Sequence, residues 1–386
     1  VRILDVCAFY TPHGGGVRTY VHRKMAAATA AGHEVVVLAP GECDGWRELS
    51  GGGILATIAA PKLPVDRRYR FFNDEQALHR ALDTWRPDVV EASSPWSSAS
   101  MVTRWSGAAK RSLVMHADPM SAYAYRWFGR VASVATIDRG FERFWRHLRQ
   151  LDSAVDAVLC ASDELAGRLV AGGLTRVVTL PMGVEPGRFS PTHRDPTLRA
   201  GLLAQCNLPP SATLLLGAGR YSAEKRWGMV IDAATAAGNA TPVGLVLVGD
   251  GRGRRGLAAL ASSPHVVVDA PVHDRSLLAT MMASADALVH GCEAETFCMV
   301  AAEAAASGLP IIAPDRGGAA DHVLPPGRHY RAADGGSLRD VLVEFACTRY
   351  GRSTQPRPLP TRTMDEHFGE LFALYAGLRS PCRLAA

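Results

Sequence analysis

Two carboxylates, Glu295 and Glu303, lie eight residues apart in a segment otherwise dominated by small and apolar residues. On one helix that spacing separates them by about 12 Å along the axis and about 80° around it. Such a pair can touch two separated hydroxyl groups of one elongated ligand. Glu295 is expected at the helix start, where the dipole favours a carboxylate. The N–H groups of Thr296, Phe297 and Cys298 would then be free to take a phosphate between them. Capping by Glu295 alone is the plainer alternative. Glu303 stands among Val300, Ala301, Ala302, Ala304 and Ala305, and a charge in so apolar a helix usually has a partner.

Two cations precede this segment in Gly219-Arg220-Tyr221-Ser222-Ala223-Glu224-Lys225. An arginine fork suits a diphosphate and a lysine supplies a point charge; two solvated loop cations are the alternative. Only four lysines occur in the chain. That bias reads as a GC-rich bacterial genome, and it makes a lysine in a suspected site less ordinary. Near the start, Gly14-Gly15-Gly16 lets the backbone approach a ligand, with a helix N-terminus behind it, or simply makes a tight turn. Its spacing is not G-x-G-x-x-G, so the dinucleotide fingerprint and an NAD dehydrogenase are set aside.

The elements that must position these groups alternate strand and helix, which predicts parallel α/β architecture. Strand patterns fall at Val1–Ala8, Glu34–Ala39, Pro87–Val90, Ser112–His116, Val155–Ala161 and Val177–Leu180. Helical patterns cover Val17–Ala31 and Asp163–Ala171. Pro/Gly density from Pro181 to Pro191 marks a linker. The pattern then restarts at Thr213–Gly217, with strands expected at Val243–Val248, His265–Val268, Ala287–His290 and Leu309–Ala313 and a helix at Arg226–Ala237. A last helix, Met364–Leu378, spaces Phe368, Leu371, Phe372 and Tyr375 on one face. The expected division is residues 1–188, 189–362 and a closing helix in 363–386.

The 386 residues are 47% apolar and 20% charged, a globular composition with room for two cores. A net charge of +5 suits anionic small molecules and does not imply nucleic acid. The eight cysteines are scattered without C-x-x-C or zinc spacing, so a reducing cytoplasm is expected and a metal is not. No apolar run is long enough to span a bilayer. Val1-Arg2-Ile3-Leu4 runs straight into a strand pattern, so no leader is expected.

Together these features resemble glycosyltransferase family 4, the retaining transferases of GT-B fold. The resemblance runs over nearly the whole chain. It rests on Glu295 and Glu303 as E-x7-E, on Gly219, Arg220 and Lys225, on Gly15 and Gly16, on Gly32-His33-Glu34-Val35, on Pro181, Gly183, Val184 and Glu185, and on Gly317, Gly318 and Asp321. It implies two Rossmann-like domains facing each other across a cleft, the N-terminal one on the acceptor side and the C-terminal one on the donor side. The last helix would cross back to the N-domain. Arg220 and Lys225 would hold the diphosphate of a nucleotide sugar, with Gly15 and Gly16 packing against it. Glu303 would bind the ribose and Glu295 the transferred sugar. The N–H groups near Thr296, Phe297 and Cys298 would meet sugar or phosphate oxygens, and Val272 would border the base. His116, closing the strand Ser112–His116, resembles the family's active-site histidine, or is a strand-end histidine with no ligand. Asp118 would bind acceptor or cap the next segment.

The resemblance further implies hexosyl or N-acetylhexosaminyl transfer with retention and without metal or cofactor. A UDP-sugar is favoured as donor over a GDP-sugar. The acceptor would be a hydroxyl on a polyol, a natural product or a lipid-linked glycan. A GT-B epimerase or phosphorylase and a non-catalytic nucleotide-sugar- or glycan-binding protein are the rival readings. The family usually has Gly where Cys298 stands and Asn where Met182 stands. Residues 123–149, rich in Arg and aromatics, place Phe141, Phe144, Trp145 and Leu148 on one helix face. Packing on the N-domain is preferred for them over acceptor recognition or docking on an anionic membrane.

Overall fold

The structure is a computed structural model describing residues 1–11, 16–64, 67, 69–128, 131–251, 253–348 and 361–379. It divides into two compact units. The first takes in Val1–Ala117, Phe128–Pro181 and Asp365–Ala386, and the second Asp118–Trp127 and Met182–Met364. The second unit therefore begins ahead of the boundary expected after residue 188. Gly183 lies so close to the Thr363 peptide that a Cβ would overlap it. Val184 N–H donates to Arg362 O at 2.8 Å, and Met364 N–H returns the bond to Val184 O at 2.9 Å. Gly183 and Val184 are thereby paired to the end of their own unit.

The first unit holds strands β1 (Arg2–Val6), β2 (Glu34–Gly41), β3 (Gly45–Glu48), β4 (Ile54–Ala59), β5 (Val89–Ala92), β6 (Lys110–Met115), β7 (Ala157–Cys160) and β8 (Val177–Thr179). Their order is β3-β4-β2-β1-β5-β6-β7-β8. Every pair is parallel except β3 with β4. The central strands are buried along most of their length, as expected when helices cover both faces of a parallel sheet. The helix Met364–Arg379 belongs to this unit from Asp365 onward. Its buried face is Phe368, Leu371, Phe372 and Tyr375, the face the apolar spacing picks out.

The second unit holds β9 (Thr213–Ala218), β10 (Val243–Val248), β11 (Val266–Asp269), β12 (Ala287–Val289), β13 (Ile311–Pro314) and β14 (Arg328–Tyr330). They are all parallel, in the order β11-β10-β9-β12-β13-β14. β9 and β10 are buried throughout. Trp227, Val230 and Ile231 from the helix Trp227–Gly238 pack with Leu338, Leu342 and Phe345 of the helix Gly335–Cys347 in one core cluster. Among the described residues no helix is long and apolar enough to cross a membrane.

One expectation is corrected here. The helix carrying Glu303 runs only from Met299 to Ala306, so Glu295 lies in the loop before it and not at its first turn. The two carboxylates do not share a helix.

Candidate functional site

The second sheet reverses in its middle. The chain lays down β9, β10 and β11 in one direction, then returns to place β12 on the other side of β9. Loops leaving the carboxyl ends of β9 and β12 therefore meet at a topological switch point, where open parallel sheets bind ligands. They are residues 219–226 and 290–298.

The first loop is fixed from below. Trp227 Nε1 donates to Arg220 O at 2.8 Å, and Tyr221 N–H to Asp250 O at 2.6 Å. The Tyr221 hydroxyl lies 2.9 Å from Leu247 O and 2.7 Å from Asp269 O. Arg226 adopts a left-handed φ of 49° and grips Glu293 with two guanidinium nitrogens, Nε at 2.8 Å. This geometry turns Lys225 inward, where its ammonium meets the Glu295 carboxylate. Arg220, 78% exposed, lies 3.4 Å from Glu224 instead. Of the two expected phosphate-binding cations, the structure joins only Lys225 to Glu295.

The second loop is pressed against Gly317 and Gly318. Gly317 has φ +83°, and a Cβ on Gly318 would stand 2.6 Å from Phe297 N. Gly318 N–H donates to Glu295 O at 2.8 Å, and His322 Nε2 to Phe297 O at 2.7 Å. The backbone of the sugar-binding candidates is thus set by the glycine pair. Thr296, Phe297 and Cys298 precede the helix, and Cys298 is its N-cap, with φ 67° and ψ 72°. A side chain in that left-handed conformation costs about 1 kcal/mol or more. The Cys298 thiol is nevertheless buried, 3.6 Å from His290 Nε2.

His290 is the residue that sequence reading passes over. It follows β12, is 1% exposed, and sets Nε2 3.4 Å from Glu295 Oε1. The Tyr330 hydroxyl fixes its carbonyl at 2.9 Å, and Trp227 meets its ring edge-on. Burial pushes Glu295 up, but the His290 hydrogen bond and the Lys225 charge outweigh it and hold the carboxyl well below its usual range. Burial pulls Lys225 down, and Glu295 more than restores it. Burial lowers His290 despite Glu295, so the imidazole is neutral. With its proton on Nε2 toward Glu295, Nδ1 is left buried with no hydrogen-bond partner among the described residues. Burial also raises both neighbouring thiols, Cys292 to about 12.

Glu303 has the partner that its apolar helix implies. Arg275 lies 2.5 Å from its carboxylate and stacks over Phe189 at 5.0 Å. Val272 is half-buried in the loop after β11, just ahead of Asp274, which caps the helix Arg275–Ser284.

In the first unit, Gly16 opens the helix Gly16–Ala30 with nothing within 4 Å of its missing Cβ. Gly15 lies outside the described residues. His116 follows β6, half-buried, with the Tyr20 ring edge-on at 5.2 Å. Burial, opposed by Glu91 and aided by Lys24 and His367, lowers its pKa to about 4. Beneath it lies a polar core that no motif announces. Lys24, fully buried, pairs with Asp5 and with Glu91 at 2.8 Å. The Tyr375 hydroxyl donates to Glu91 at 2.6 Å, and Ser93 to Asp5 at 2.5 Å. His367 joins Tyr20 at 3.0 Å and Pro181 O at 2.9 Å. Trp145 and Leu148 are buried in the helix Glu142–Ala154, while Arg143 and Arg146 are exposed. Asp118, which the division assigns to the second unit, accepts from Met120 and Ser121 N–H at 3.0 and 3.3 Å, a capping geometry.

Comparison with known proteins agrees with this architecture. The Glycosyltransferase Family 4 profile matches residues 14–188, and the Glycosyl transferases group 1 profile residues 212–343. A GDP-mannose-dependent alpha-mannosyltransferase of Mycobacterium tuberculosis is 32% identical over 84% of this chain and 82% of its own length. A GDP-mannose-dependent alpha-(1-6)-phosphatidylinositol dimannoside mannosyltransferase of the same species is 30% identical, over 81% and 79%. Among solved structures, sucrose-phosphate synthase of Thermosynechococcus elongatus superposes with a TM-score of 0.71 over 98% of both chains at 19% identity, a likeness of GT-B fold. The motifs, the fold and the relatives agree: the chain belongs to glycosyltransferase family 4.

Proposed function

We propose that this glycosyltransferase moves a mannosyl group from GDP-mannose to a hydroxyl of a lipid-linked glycan, with retention of configuration and without an essential metal. The observation that carries the reading is the Lys225–Glu295–His290 cluster at the switch point of the second sheet. The family resemblance by itself favours UDP as the nucleotide. Two relatives at 30% and 32% identity are GDP-mannose-dependent by name, and they move the reading to GDP. The acceptor class follows from the phosphatidylinositol dimannoside in one of those names. The cytoplasm is the compartment where such a donor would be met.

Glu295, held ionised, receives hydroxyls of the transferred sugar. Lys225 supplies positive charge for the leaving diphosphate, where negative charge grows in the transition state. Arg220, exposed on the same loop, adds a guanidinium fork. Glu303 exchanges Arg275 for the ribose hydroxyls, and Val272 borders the base. The backbone of Thr296–Cys298 meets sugar or phosphate oxygens. His116, neutral at physiological pH, accepts from a sugar hydroxyl, and Gly16, with nothing within 4 Å of its missing Cβ, leaves room for phosphate oxygens. The bond from the anomeric carbon to the diphosphate oxygen breaks, a bond to the acceptor oxygen forms on the same face, and the diphosphate takes the acceptor proton.

The test is incubation with GDP-mannose, UDP-glucose and UDP-N-acetylglucosamine, each with a phosphatidylinositol mannoside extract. Mannosylated lipid from GDP-mannose alone is expected. Binding of GDP-mannose without turnover, on every acceptor tried, would favour the non-catalytic binding protein.

A further inference from the structure

The loop after β12 carries a metal-binding side chain at every second or third position: His290, Cys292, Glu295 and Cys298. One ligand atom from each of His290, Cys292 and Glu295 lies within 4.8 Å of the other two. Cys298 adds a second sulfur 3.6 Å from His290 Nε2. Tetrahedral zinc, bonded at about 2.0–2.3 Å, sets its donors about 3.3–3.8 Å apart, so the set is close to gathered. His290 is 1% exposed, and its Nε2 faces both Cys298 Sγ and Glu295 Oε1, at 3.6 and 3.4 Å. Nucleotide-sugar binding uses neither of these thiols.

We propose that His290, Cys292, Glu295 and Cys298 bind a soft divalent cation of the zinc class, and that its binding stops sugar transfer by taking the Glu295 carboxylate as a ligand and so withdrawing it from the transferred sugar. The second half rests on the role given to Glu295 above. Two thiols and one imidazole favour zinc or cadmium over magnesium or calcium, which prefer oxygen ligands. On binding, both thiols release their protons to solvent and become thiolates. Two thiolates and one carboxylate around a dication leave one negative charge, and the Lys225 ammonium beside Glu295 neutralises it. The lysine thus balances the loaded site. For Nε2 to ligate, the imidazole carries its one proton on Nδ1.

The experiment titrates reduced, chelator-treated protein with cadmium and follows the near-ultraviolet charge-transfer band of cadmium thiolate. Exposed Cys43 and Cys347, together with Cys382, are first replaced by serine to silence other thiols. A band saturating at one equivalent is expected, weakened at least tenfold by Cys292→Ser and again by His290→Asn, each variant checked for an unchanged thermal transition. No saturating band, or an equal band in both variants, overturns the site. One equivalent of zinc should then abolish transfer in the parent and spare it in Cys292→Ser, while magnesium does nothing. Full transfer with zinc bound overturns the switch and leaves the site. Absence of transfer in the metal-free parent, with the band intact, counts against the function and not against the site.

Discussion

Glu295 is the residue on which the donor reading turns, because Lys225 and His290 both exist to hold it as a carboxylate. Glu295→Gln keeps the shape and removes the charge. It should lower kcat by about 10²-fold while GDP affinity by calorimetry stays nearly unchanged; a change confined to KM would remove Glu295 from the transition state. Arg220→Ala should act differently. Its side chain is exposed, so stability should move by less than about 0.5 kcal/mol, whereas GDP affinity should fall about tenfold with the lost charge-assisted bonds. An unaltered affinity would leave the diphosphate to other groups. The carboxylates and cations are legible in the sequence because their types are rare in an apolar run. His290, Arg275 and the Arg226–Glu293 pair are not, since nothing in their local spacing says which distant side chain they will face.

At the scale of elements, the glycines do the positioning. A methyl group on Gly318 would press on the Phe297 and Thr296 backbone. Gly318→Ala should therefore cost about 1–3 kcal/mol by overpacking. It should also lower transfer by displacing the loop that carries Glu295. Chemical denaturation and a turnover assay read the two effects, and a variant as stable as the parent would show that the loop yields freely. The alternation of buried strands and helices is legible because parallel strands are apolar on both faces. The strand β3 is exposed along its length and offers no such signal. The helix start near Glu295 is misplaced by the sequence reading for a related reason. The left-handed turn at Cys298, a conformation unusual for any residue but glycine, delays the helix to Met299.

For the whole molecule, buried charge and pH bear on stability. His116 ordinarily titrates at 6.5 and in the folded chain at about 4. The unfolded chain then binds a proton that the folded chain refuses between those values. Stability should fall as pH drops from 6.5 toward 4 and be indifferent to this group above 6.5. Glu295, held low, adds to the loss in acid. His116→Asn should flatten the decline measured by denaturant midpoints; an identical profile would mean that His116 titrates normally. Tyr375→Phe should cost about 1–3 kcal/mol by stripping a hydrogen bond from buried Glu91. That network was invisible in sequence, because Lys24, Glu91 and Tyr375 meet only once three distant segments are folded together.

The most direct test of the central claim is single-turnover transfer with GDP-mannose in the parent and in Lys225→Ala, with the anomeric configuration of the product read by NMR. An α-mannoside from the parent, and a rate at least about 10²-fold lower in the variant, is the result predicted. A β-mannoside, or a variant as fast as the parent, would contradict the account.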